Sequence, residues 1–163
     1  MLRVDLKIFK SRERNSTEGY RMAFAEFSLK KNLLVRAEHD SDLVQFITKL
    51  AEDRGITAAE FTAIGALKRA KLGFYDQKKH AYHEIIVDSP HEIASCIGNI
   101  SVKNGRSFVH VHAVLAGEDG DIKAGHLIEG VVFAAEVHLC ELKGIKLERK
   151  HDEETGLSLW HIE

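Results

Sequence analysis

Only one stretch of this 163-residue chain carries the spacing of an amphipathic helix. Leu43, Phe46, Ile47, Leu50 and Ala51 recur at intervals of three and four residues, with Gln45, Lys49, Glu52 and Asp53 opposite them. His39-Asp40-Ser41-Asp42 supplies N-cap oxygens before it, and Gly55 stands where a left-handed cap residue is needed. From Ile56 onward the pattern changes to alternation and short apolar blocks broken by turn residues, which is the signature of strands. Ala59 to Ala66 and Lys68 to Tyr75 read as two strands divided by Gly65-Ala66-Leu67, and Tyr82 to Val87 alternates until Ser89-Pro90 breaks it. Glu92 to Val102 follows, then Asn104-Gly105, whose two positions tolerate the positive φ of a tight hairpin, then Phe108 to Leu115. After the polar turn Gly117 to Asp121, His126 to Gly130 leads into the long apolar strand Val131 to Leu142. Lys146 to His151 and Gly156 to Ile162 form a charged hairpin around Asp152-Glu153-Glu154. Ahead of the helix, residues 1–9 and Tyr20 to Leu29 alternate as an N-terminal strand pair, and Leu33 to Ala37 is a short strand. The expected fold is α+β, a largely antiparallel β-sheet with one or two helices packed on it.

A chain of this length supports one core that buries roughly two-thirds of the unfolded surface. With 44% apolar and 29% charged residues the composition is that of an ordinary soluble globular protein. No run approaches the roughly 20 apolar residues of a membrane span, so no membrane partner is expected. Met1 to Lys7 contains an acid and alternates apolar with polar residues, unlike a signal or transit peptide, so a cytoplasmic location is expected. Cys96 and Cys140 sit singly in apolar runs, as small buried hydrophobes do. The formal net charge is −2, and bases exceed acids only in residues 1–36, nine against four. Nucleic-acid binders draw most of their affinity from neutralising phosphates and usually show a basic face, so this balance argues against that role.

Chemistry concentrates in the strand Phe108-Val109-His110-Val111-His112-Ala113-Val114-Leu115. Side chains at i and i+2 share a strand face about 7 Å apart, so His110 and His112 can address one object, and His126 follows in Ala124-Gly125-His126-Leu127. Three neutral imidazoles, two from one strand and one from a neighbouring segment, are the ligand set of an open tetrahedral zinc site with a fourth position for water or substrate. The competing reading is that the histidines face an interior or a subunit contact and only hydrogen-bond there. Glu92 and Glu136 are candidates to orient a histidine or act as a general base, against the plainer role of solvent-facing strand residues. Arg106, after the turn glycine, is a candidate for an anionic ligand, against that of a solvated turn residue. Lys68, Arg69 and Lys71 read as a solvated edge, and His91 and His138 have no partners at metal-ligand spacing.

Several blocks together carry a resemblance. Ile64-Gly65-Ala66-Leu67 with Tyr75-Asp76, then Glu92-Ile93 with Gly98-Asn99-Ile100, then Gly105-Arg106, His110-Val111-His112, Leu115-Ala116, Gly120 and Gly125-His126-Leu127, and finally the strand with Glu136, resemble the plants-and-prokaryotes-conserved (PPC) domain family in order and type. The resemblance covers about residues 33–142, leaving an N-terminal extension, 1–32, and a C-terminal hairpin extension, 143–163. It implies a compact domain assembling as a homotrimer. In some prokaryotic members the three histidines hold zinc, which lands here on His110, His112 and His126. Plant members pair the domain with AT-hooks built on Arg-Gly-Arg-Pro; this chain has no such segment and its one proline is Pro90, so DNA binding carries over as a family description rather than from the residues. Ala124 stands where the family usually has glycine; if that position needs a positive φ, alanine there costs about 1 kcal/mol. A looser likeness to the metal motif of cupins departs in spacing, because Glu118 falls in a turn, and a zinc-deaminase site lacks its Cys-x-x-Cys. Three functions therefore stand: a DNA-associated protein, a metal-dependent enzyme or small-ligand-binding trimer acting at a cleft between subunits, and a structural interaction module.

Overall fold

The computed structural model describes residues 24–162. The elements are β1 (Ser28–Ala37), α1 (Leu43–Arg54), β2 (Ala59–Asp76), β3 (Ala81–Val87), β4 (His91–Lys103), β5 (Arg106–Ala116), β6 (Ile122–Lys143), β7 (Glu148–His151) and β8 (Ser158–Trp160). The strand expected over residues 1–9 lies outside the described residues, as does the start of the one expected over Tyr20 to Leu29; of its described part, from Phe24 on, Ser28 and Leu29 are strand. Of the one or two helices expected, one is present among the described residues. At 12 residues it is too short to cross a membrane.

The strands form one sheet ordered β3-β2-β6-β5-β4-β7-β8, with β1 added to β6 and a further pairing between β2 and β4. The pairings β2–β6, β6–β5, β5–β4 and β4–β2 close a circuit, so the sheet wraps around its own core. All pairs are antiparallel except β4 with β7. β2 was expected to break at Gly65-Ala66-Leu67, yet it runs through as one strand with irregular register there. Gly65 has φ 131°, and a Cβ on it would lie 2.1 Å from the Ala134 carbonyl oxygen, so glycine bends β2 against β6 instead of ending it. Likewise His126 to Gly130 and Val131 to Leu142 are parts of the single strand β6. Between β4 and β5, Asn104 (φ 52°) and Gly105 (φ 77°) make the tight turn that their sequence predicts.

α1 buries Leu43, Ile47 and Ala51 against the inner side of the sheet, beside Val111, Leu115 and Leu127 in the same core. Its start is sewn to β6. Asp42 Oδ1 accepts from the Gln45 backbone N–H at 2.8 Å, and Oδ2 accepts from the Gly130 N–H at 2.7 Å. Gly55, with φ 62°, closes the other end. Because one carboxylate satisfies both a helix start and a strand amide, Asp42→Ala should cost about 2–3 kcal/mol, a cap of about 1 plus an amide left without its partner. Urea unfolding monitored by circular dichroism measures it; a loss below about 0.5 kcal/mol would refute the double role.

Candidate metal centre

The Asn104-Gly105 turn sets the β4–β5 register, and with it His110 opposite Asn99 and His112 opposite Ile97. β6 then returns alongside β5 with His126 directly opposite His112. Gly125 allows this approach, since a Cβ there would meet the Gly73 carbonyl oxygen at 2.8 Å. Ala124 is not among the positive-φ residues and pairs with Val114 in regular strand, so alanine fits there without the strain a left-handed position would impose. The three rings stand 5.2, 5.3 and 5.5 Å apart between centroids, and one nitrogen from each lies within 4.8 Å of the others.

Burial, then the Arg149 guanidinium, then His126 and His112 push the His110 imidazole down to about 4. Burial and His112 lower His126 as well. Both rings are therefore neutral at pH 7, with lone pairs to offer. His126 Nδ1 is buried and has no hydrogen-bond partner among the described residues, an orphaned acceptor or donor. A divalent metal suits this donor set, because each neutral imidazole contributes one nitrogen and no charge must be neutralised first.

Around the histidines are residues that the local pattern did not single out. The Tyr82 ring lies 5.4 Å from His126 and 5.0 Å from Tyr75, whose hydroxyl donates to the Thr155 carbonyl oxygen at 2.7 Å. Arg149, from β7, donates through Nε to Ser101 Oγ at 2.7 Å and through its terminal nitrogens to Asn99 Oδ1 and the Ser158 carbonyl, each at 2.9 Å. Phe108 and Trp160 flank it at 5.1 and 5.6 Å. A cleft of about 380 Å³ opens in front of His110 and His112, bordered by Thr62, Ile97, Asn99, Cys140 and Trp160. Such a volume matches a small ligand.

Glu92, Arg106 and Glu136 are all exposed and stand apart from the histidine cluster. Glu92 faces Ala116 across β5, Arg106 closes the hairpin opposite Lys103, and Glu136 lies between Arg36 and Ile64. Cys96 is buried, which pushes its thiol up to about 12. Cys140 differs from the buried hydrophobe expected: it is half-buried, with Sγ 3.1 Å from Asn32 Oδ1 and 3.8 Å from His138 Nε2.

Residues 24–143 match the family model of the Plants and Prokaryotes Conserved (PCC) domain. Among solved structures, a metal-containing protein from Archaeoglobus fulgidus is 43% identical with a TM-score of 0.83, the match covering 86% of this chain and 99% of that one. A plant- and prokaryote-conserved protein from Pyrococcus horikoshii is 41% identical with a TM-score of 0.82, covering 86% and 97%. A protein from Bacteroides thetaiotaomicron described as a candidate DNA-binding protein is 24% identical with a TM-score of 0.76, covering 83% and 97%, a likeness of fold. None of the curated proteins compared with the chain matches it.

The depressed His110 has a consequence for stability. Its unfolded value is about 6.5, so the unfolded chain takes the proton first as pH falls. Stability is full above about pH 6.5 and is lost as pH drops toward 4, by about 1–2 kcal/mol once screening of the half-buried ring is allowed for. Chelator-treated protein melted at steps of pH should show this fall, and His110→Asn should flatten it; an unchanged slope would contradict the assignment.

Proposed function

The chain belongs to the plants-and-prokaryotes-conserved domain family, and from that premise we propose a homotrimeric domain that holds zinc on His110, His112 and His126 and binds a small ligand in the cleft beside them. The observation that carries this is the convergence of three imidazoles with one nitrogen from each within 4.8 Å of the others and the buried His126 Nδ1 unpartnered. A zinc ion held there supplies a Lewis-acid position for water or a ligand oxygen. The 43% identical relative from Archaeoglobus fulgidus, described as metal-containing, supports the same reading.

Each neighbouring residue has a part. Burial first and the Arg149 guanidinium second keep His110 neutral, and Arg149 stands behind the cleft rather than in its lining. Asn99 fixes the guanidinium from the cleft side. Tyr82 covers His126 and limits solvent on that flank.

The trimer reading rests on the outward face. Cross-strand partners share a face, and the register runs Leu34–His138, His138–Thr62, Thr62–Ile97, Ile97–His112 and His112–His126. Leu34 is 84% exposed and Ile97 62%, and Ile64 beside them 60%. A belt of large exposed apolar side chains leading up to the histidines is a surface that another copy can cover, bringing a subunit boundary to the cleft.

DNA binding is the weaker reading, since the Bacteroides relative shares only the fold and a formal charge of −2 offers little counterion release.

Elemental analysis should find about one zinc per chain more in the unmutated protein than in the His110→Ala/His112→Ala variant; equal content in both would end the metal reading. Native mass spectrometry should find a trimer, shifted to monomer by Leu34→Glu with the far-ultraviolet circular dichroism retained, and a monomer before substitution would end the trimer reading.

A further inference from the structure

At the far end of β5 from the three histidines, the turn from Gly117 to Asp121 meets the first residue of β4. His91 is only 6% exposed, and its Nδ1 lies 3.0 Å from the Ser89 carbonyl oxygen. A carbonyl can only accept, so Nδ1 donates its proton there, and in the neutral ring Nε2 is the nitrogen that presents a bare lone pair. That Nε2 is buried with no hydrogen-bond partner among the described residues. Asp121 Oδ1 lies 3.7 Å away from it, too far for a hydrogen bond.

Two acceptors thus face each other across a gap. Asp121 is ionised, its carboxyl held below the usual carboxylate range first by Lys123, whose Nζ takes the other oxygen, Oδ2, at 2.9 Å. Oδ1 is left pointing toward the imidazole. Gly117 keeps the space open: a Cβ on it would lie 1.9 Å from Asp121 Oδ1 and 3.2 Å from His91 Nε2. The turn around it is fixed by hydrogen bonds from Gly117 N–H to the Asp121 carbonyl and from Gly120 N–H to the Gly117 carbonyl, at 2.9 and 3.0 Å. The cavity in front, of about 730 Å³, is bordered by Glu118 and Asp119 as well as His91 and Asp121.

We propose that His91 Nε2 and Asp121 Oδ1 hold a second divalent cation, with Asp119 or Glu118 and water completing its shell. A metal about 2.1 Å from each atom sets nitrogen and oxygen about 3 to 3.5 Å apart, so the gap closes by a few tenths of an ångström. The ring N–H donated to a backbone carbonyl is the outer support that metal-bound histidines use to fix their tautomer. Mixed imidazole and carboxylate donors select a transition ion over calcium or magnesium. The site is independent of the histidine triad, which is built from other residues.

Cobalt(II), whose visible absorption reports its ligands, is the probe, titrated into the chelator-stripped full chain. With His110, His112 and His126 all changed to Ala, the chain should still bind one equivalent, and adding either His91→Ala or Asp121→Asn should abolish it. A folded triple variant that binds no cobalt would overturn the proposal, as would binding that survives both added substitutions. Should the triple variant not fold, the unmutated chain answers: Asp121→Asn, a change of charge in a partly exposed turn, should lower cobalt from two equivalents to one, and an undiminished count overturns the site. If instead the triad is the part that fails, the unmutated chain binds one equivalent and Asp121→Asn removes it.

Discussion

The close approach of β6 to β2 governs much of this molecule. The two strands pair along most of their length, and at Gly65 and Gly125 one backbone presses on the other so tightly that no side chain fits between them. Those two contacts settle how β6 lies, and β6 settles the rest: its second half receives β1, its first half receives β5, and its middle anchors the helix start through Gly130. His126 comes to stand opposite His112 because of this path. A shift of one residue in the pairing would turn His126 to the opposite face and disperse the cluster.

The two ends of β5 put the same side chain to work in opposite electrostatic settings. At one end, three imidazoles gather, and burial together with the Arg149 cation keeps His110 from taking a proton. At the other, a single buried imidazole faces a turn that carries Glu118, Asp119 and Asp121. A cation beside a set of neutral ligands weakens the hold on a metal while making any ion held there a stronger acid. Carboxylates act the other way, favouring retention over reactivity. The difference arises from placement of charge, since the rings are chemically identical.

Local pattern in the sequence carried the helix with both caps, the Asn104-Gly105 turn, the alternating strands and the shared face of His110 and His112, because each is decided by residues within a few positions of one another. What local pattern could not carry was decided at long range. The glycine at 65 looks like a strand end until β6 is known to press on it. Tyr82 reaches His126 from β3, and Arg149 reaches the same neighbourhood from β7; neither has a spacing that announces it. His91 gave no signal either, since its orphaned nitrogen exists only once β4 meets the turn before β6. The glutamates at 92 and 136 drew attention as acids among apolar neighbours and proved to be the outward members of alternating strands.

Arg149 belongs to the hairpin β7–β8, beyond residues 24–143 of the family match, and ties it to β4 by two side-chain hydrogen bonds beside a short parallel pairing. A tail attached in this way can be lengthened, replaced or lost without changing the register of any strand that carries a histidine. The consequence is a division of labour: the strands that hold the ligand set fix its geometry, while a separate segment of the chain supplies the charge beside it.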